Sequence, residues 1–218
     1  AGGPHSLHGY SSSMRFSKRS NHKMTFTRKQ LEVQNLLNPT LQLDKDILSI
    51  VRSKFPNITD EFFDFLDQEV SRYSLDIELP GPTGESNQLF YKPKGTVLCI
   101  GPKPNDALMQ TLLSLFLGNS AISQISMQEY DSLQAIGFKT ENIHRLNDSP
   151  SLSLIESNSF NAVFYFGDVS SVDKIIVASR NELIPVVSSI YETWQLLKEK
   201  VITEDTTASG GNANLLAL

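Results

Sequence analysis

Cysteine is all but missing: Cys99 stands alone among 218 residues. One thiol excludes an internal disulfide and any zinc site built on cysteine pairs, and it suits a reducing compartment. No apolar run approaches the roughly 18 residues of a membrane-spanning helix. The first residues lack the apolar stretch of a secretory signal. Positive charge is not in excess either. Lys and Arg number 19 against 24 Asp and Glu, a formal net charge of −5, which gives no general pull towards nucleic acid or anionic membrane. An initiator Met is absent, because the chain opens Ala1-Gly2-Gly3-Pro4-His5, so a segment cut from something longer is expected.

What is present suffices for a full hydrophobic core in one domain with an appendage. Residues 1–26 read as an irregular arm broken by Gly2, Gly3, Pro4 and Gly9. Arg15, Lys18, Arg19 and Lys23, with Arg28 and Lys29 just beyond, make it basic. Such an arm can hold nucleic acid, but Tyr10 and Phe16 are its only interleaved aromatics, so it reads as a solvated linker. His5, His8 and His22 match no metal-ligand spacing.

Residues 27–79 read as helical. Thr27, Asp44 and Thr59 are placed as N-caps, and Asn38-Pro39 and Pro56 as stops. After Thr59, Phe62, Phe63, Phe65, Leu66, Val70 and Tyr73 recur at helical spacing, which marks a packing face. From Leu79 to Asn87 two prolines and two glycines form a constrained turn, taken as a rigid lead into the next region.

Residues 80–205 change rhythm. Short β-prone runs are expected at 89–91, 96–100, 121–125, 143–146, 162–167 and 184–188. Helical patterns fall between and after them at 105–117, 128–136, 152–156, 172–180 and 191–198. This alternation predicts an α/β fold with an open, mostly parallel, Rossmann-like sheet flanked by helices.

Such a sheet invites a nucleotide, so its first turn is decisive. Gly101-Pro102-Lys103-Pro104-Asn105 holds one glycine, and its two prolines delete amides that would bind phosphate. Neither G-x-G-x-x-G nor a Walker A motif occurs, and no acidic residue ends the next strand. Cys99 lies in an apolar run and reads as packing, His144 has no triad partners, Asp168 suits a helix cap, and Trp194 suits a helix-face anchor. No catalytic, cofactor-binding or metal site is assembled.

The end of the chain is Thr206-Thr-Ala-Ser-Gly-Gly-Asn-Ala-Asn-Leu-Leu-Ala-Leu218. Thr206 and Thr207 suit a strand, Gly210, Gly211 and Asn212 tolerate positive φ in a turn, and Leu215 and Leu216 form an apolar end. The composition fits two states equally: a β-flap that docks elsewhere, or a frayed tail.

Three stretches together carry a family resemblance. They are Ala1-Gly2-Gly3-Pro4-His5; Leu79-Pro-Gly-Pro-Thr-Gly-Glu-Ser-Asn87 with Lys94-Gly-Thr-Val-Leu-Cys-Ile100; and Thr206-Thr-Ala-Ser-Gly-Gly-Asn-Ala-Asn-Leu-Leu216. In this order they resemble parts of the bacterial bifunctional proline utilisation flavoenzymes; residues 8–78 match only in general character. The resemblance implies a C-terminal aldehyde-dehydrogenase-like domain of a long-form member, bearing a C-terminal β-flap over residues 206–218. It implies a non-catalytic role, packing on the preceding aldehyde dehydrogenase module and covering the cavity through which the intermediate passes. FAD and NAD would serve the parent's proline dehydrogenase and semialdehyde dehydrogenase and not this segment. A cytoplasmic parent, compatible with peripheral membrane association and with homo-oligomerisation, and no direct nucleic-acid binding by this segment complete the expectation. A different class stays open beside it, an independent nucleotide-binding α/β oxidoreductase domain.

Overall fold

The computed structural model describes residues 12–17, 45–75, 77–81, 85–103, 105–146, 160–167 and 184–205. They fall into two compact units. One holds the described parts of 1–40, 73–92 and 198–218; the other holds those of 41–72 and 93–197.

The first unit is built on a four-stranded sheet in which residues 12–17, 197–205, 85–93 and 77–79 lie side by side in that order. Its strands are β1 (Ser12–Ser17), β2 (Ile77–Leu79), β3 (Glu85–Pro93) and β9 (Leu197–Asp205). β1 runs parallel to β9, and β2 antiparallel to β3. Two sequence expectations are corrected here. Residues 12–17, placed in an irregular arm, form a strand, and their ladder partners at 200–205 are nearly two hundred residues away. Residues 191–198, placed in a helix, form a short 3-10 segment followed by β9. Glu192 leaves helical dihedrals (φ −104°, ψ 25°), and Val201, Ile202 and Thr203 are β-branched, which favours the pleated strand. The expected 89–91 strand extends back to Glu85, shortening the proline-glycine turn. Phe90 and Ile202 are buried, Tyr73 meets Tyr91 edge on at 4.8 Å, and Thr203 Oγ1 donates to Asn87 Oδ1 (2.6 Å).

The second unit is an α/β layer structure. Its five strands are β4 (Thr96–Cys99), β5 (Ser120–Ser123), β6 (Ile143–Arg145), β7 (Ala162–Phe164) and β8 (Val186–Val187). They lie in the order β6-β5-β4-β7-β8, and every pair is parallel. This is the expected open parallel sheet. Numbered by appearance the order is 3-2-1-4-5, a doubly wound arrangement in which the order of connection reverses between β4 and β7 while the strands stay parallel.

The central strand shows why the pattern was legible. Val97, Leu98 and Cys99 are all buried, as a strand covered on both faces requires. Gly95 leads into it with φ +131°, and a Cβ there would lie 2.2 Å from Asn161 Oδ1. That oxygen accepts from Thr96 N (2.9 Å), while Asn119 Oδ1 accepts from Gly95 N (2.9 Å). Two asparagines therefore hold the start of β4 where only glycine fits.

Four helices are described, α1 (Lys45–Lys54), α2 (Asp60–Tyr73), α3 (Asp106–Phe116) and α4 (Met127–Ile136); α3 packs on β4 and β5, α4 on β6, and α1 on α4. Phe62, Phe63, Leu66, Val70 and Tyr73 of α2 are buried, so its aromatic stripe is a packing face. All of α3 except Met109 is buried. Ser126 and Glu129 cap α4 reciprocally, and Gly137 ends it. The helices expected from Thr27 to Leu37, at 152–156 and at 172–180 lie outside the described residues.

Candidate functional site

In open α/β sheets of this order, ligands bind beyond the carboxyl ends of the strands at the reversal point. Here that edge is formed by the turns after β4, β5 and β7.

The turn after β4 is closed upon itself. A Cβ on Gly101 would come within 2.3 Å of Asp106 Cβ and 2.6 Å of Ala107 N, so this glycine serves the close approach of α3 to β4. Asn105 precedes α3 but makes no side-chain cap; its Nδ2 donates instead to Asn57 O (3.1 Å). Asp106 occupies the first helical position and is buried. Its Oδ2 accepts from Lys103 N (3.2 Å), and its own N donates to Lys103 O (3.0 Å). A carboxylate therefore stands at the positive end of α3, where a pyrophosphate would bring further negative charge.

The turn after β5 repeats the theme. Ser126 Oγ accepts from Glu129 N (3.2 Å), and Glu129 Oε2 accepts from Ser126 N (2.7 Å). Between the two helix starts and the turn after α1 lies an open cavity of about 180 Å³. Phe55, Pro56 and Leu108 form its apolar wall, and Asn57, Asn105 and Ser126 its polar wall.

The other residues weighed from sequence are dispersed. Cys99 is fully buried, and loss of hydration pushes its thiol up to about 12, partly opposed by hydrogen bonds to Ser114 and Thr111. A thiol so placed stays protonated and packs. His144 is exposed on edge strand β6. Trp194 corrects the helix-anchor expectation: it is 61% exposed on the 3-10 segment, because Thr193 and Leu196 take the buried positions around it. Among the described residues no group of His, Cys, Asp and Glu is arranged to hold a metal ion. Asp168 and the expected flap residues Thr206, Thr207, Gly210, Gly211, Asn212, Leu215 and Leu216 lie outside the described residues.

One feature had no sequence signal. Gln110 sits within α3 with no exposure, and neither its Oε1 nor its Nε2 has a hydrogen-bond partner. Glutamine is ordinary on a helix surface, and only the packing reveals its burial.

The fold and this edge define a class: an open parallel α/β domain of dinucleotide-binding topology whose helix starts are occupied by its own carboxylates. Comparison with known proteins narrows that class. The sequence is similar to the bifunctional protein PutA. It is 28% identical over 148 residues to that of Escherichia coli strain K12, covering 64% of this chain and 11% of the relative. It is 30% identical over 140 residues to that of Klebsiella aerogenes, covering 61% and 10%. No family model matches the sequence. A crystal structure of a Bradyrhizobium japonicum proline utilization A (PutA) mutant shares the fold, with a TM-score of 0.50 at 19% identity over 64% of this chain and 17% of that one. The chain is thus a PutA-related α/β domain, and it spans about a tenth of the length of the curated relatives it matches.

Proposed function

We propose that this chain is a non-catalytic C-terminal domain of a long-form bifunctional proline-oxidising flavoenzyme. It packs on the semialdehyde dehydrogenase module of the same polypeptide, and residues 206–218 form a flap that covers the cavity through which the intermediate travels. The observation that carries the non-catalytic part is the occupied carboxyl edge: Asp106 and Glu129 sit at the two helix starts nearest the reversal point, and Pro102 removes an amide. Sequence similarity to PutA supports the parentage.

On this reading the domain itself holds no cofactor, and FAD and NAD serve the parent's two active sites. The parent works in the cytoplasm. No helix among the described residues is long and apolar enough to cross a membrane.

Deleting residues 206–218 from the full polypeptide tests the flap. Proline oxidation at the flavin should be unchanged, while NADH formation from proline should gain a lag and intermediate should escape to the medium. Replacing Gly210 and Gly211 with Val should act in the same direction, since β-branched residues resist positive φ. Unchanged coupling in both variants contradicts the flap.

A further inference from the structure

The cavity between the turn after α1 and the starts of α3 and α4 has a lining that the helix caps do not use up. Its volume of about 180 Å³ equals about six waters at about 30 Å³ each, which suits a molecule of sugar size and is too small for a dinucleotide. Its frame is held by hydrogen bonds. Asn105 Nδ2 donates to Asn57 O (3.1 Å), joining the turn after α1 to the start of α3, and the reciprocal Ser126–Glu129 pair holds the start of α4. On this frame Lys54, Asn57, Gln128 and Ser132 line the cavity with side chains that have no hydrogen-bond or ion-pair partner among the described residues. The caps use Asn105 Nδ2 and Glu129 Oε2, so Asn105 Oδ1 and Glu129 Oε1 also remain for a ligand.

Exposed polar groups are ordinarily satisfied by water, but the kinds gathered here select a ligand. Donors and acceptors are interleaved: an ammonium and two primary amides donate, while a carboxylate and amide oxygens accept. A phosphate or sulfate offers acceptors only, and it would face the Glu129 carboxylate with Asp106 at the neighbouring helix start. A hydroxyl both donates and accepts, so a ligand bearing several hydroxyls meets both kinds of group. The charges of Lys54 and Glu129 balance, which suits a neutral molecule. Phe55, Pro56 and Leu108 supply an apolar wall for its C–H face.

We propose that this cavity binds a small neutral polyol of monosaccharide size. The site does not depend on the parentage of the chain. A ligand of about a dozen heavy atoms in such an open polar site binds with a Kd of about 1–10 mM. Proton–nitrogen correlation spectra of the 218-residue chain, titrated with D-xylose, D-glucose and myo-inositol well past that concentration, test it. At least one should give saturable shifts confined to the amides of residues 54–57, 105–108 and 126–132. Gln128→Ala and Lys54→Ala, both at exposed positions, should each weaken that binding about two- to tenfold while leaving the urea midpoint in place. Absence of shifts, or shifts that rise linearly over the whole surface with every solute, overturns the site. Saturable binding of sulfate or glycine betaine without binding of the three polyols overturns the ligand class. Polyol shifts that survive both substitutions overturn this cavity as their source.

Discussion

Replacing Gln110 with Met should stabilise the protein, for reasons that can be followed atom by atom. The side chain has no exposure, and both its amide atoms lack partners. A buried, unsatisfied polar group costs about 1–3 kcal/mol relative to one hydrated in the unfolded chain. Met has nearly the same length and an equal helix propensity, so the exchange leaves no cavity and does not weaken α3. The expected gain is about 1–2 kcal/mol. For a chain of this size that is a rise of about 2–8 °C in Tm, at about 2–4 °C per kcal/mol. Urea unfolding followed by far-UV circular dichroism is the assay. The midpoint should rise with the slope unchanged, which separates a change in stability from a change in compactness. Gln110→Ala is the control, and it should destabilise by about 2–4 kcal/mol through the cavity it leaves. A lower midpoint for Gln110→Met would refute the reasoning, because it would mean that the amide is held by an ordered water molecule or another polar group.

Further expectations follow from single contacts. Gly95→Ala should destabilise by about 2–3 kcal/mol, since the new Cβ meets Asn161 Oδ1 at 2.2 Å and φ is +131°; urea titration reads this. Thr193→Val should cost about 1–3 kcal/mol by leaving the buried Glu69 carboxylate without its hydroxyl donor, and the matched variant Glu69→Gln should lose less. Cys99 should resist thiol reagents in the folded protein at pH 8 and react only on unfolding. Its folded thiol is raised from 9.0 to about 12, so the unfolded state releases the proton first. Stability is therefore complete below about pH 9 and falls as pH rises towards 12, by up to about 1.4 kcal/mol per pH unit. Cys99→Ala should remove that part of the alkaline slope, which paired unfolding curves from pH 8 to 12 would measure.

The parallel sheet was legible because its signals are local. Val97, Leu98 and Cys99 form an apolar run between glycines, and Ser126 with Glu129 announces a helix start within four residues. The strand at Thr96–Cys99 and the helix at Met127–Ile136 match the expected bounds to within one residue, whereas the strand expected at 162–167 ends at Phe164. The four-stranded sheet was not legible, because its strands are made by distant partners. Ser12 to Ser17 reads as a polar arm until residues 200–205 lie beside it. Leu196 and Leu197 look like the apolar side of a helix until the Leu196 carbonyl is drawn to Lys94 and Asn119. The same contacts turn Trp194 outward, where spacing alone placed it inward. At the carboxyl edge, the deficient glycine turn was plain from Pro102 and Pro104. The carboxylate of Asp106 folded back on Lys103 N was not, since an acidic residue in a first helical turn is ordinary and only its burial and partner show what it occupies.

Calorimetric titration of the 218-residue chain with NAD tests the central claim most directly. The account expects no saturable heat up to millimolar nucleotide, because Asp106 and Glu129 already occupy the helix starts that a pyrophosphate would need. Stoichiometric binding with a micromolar Kd, lost on Asn105→Ala or Leu108→Ala beside the cavity, would contradict it and make the chain a nucleotide-binding domain in its own right.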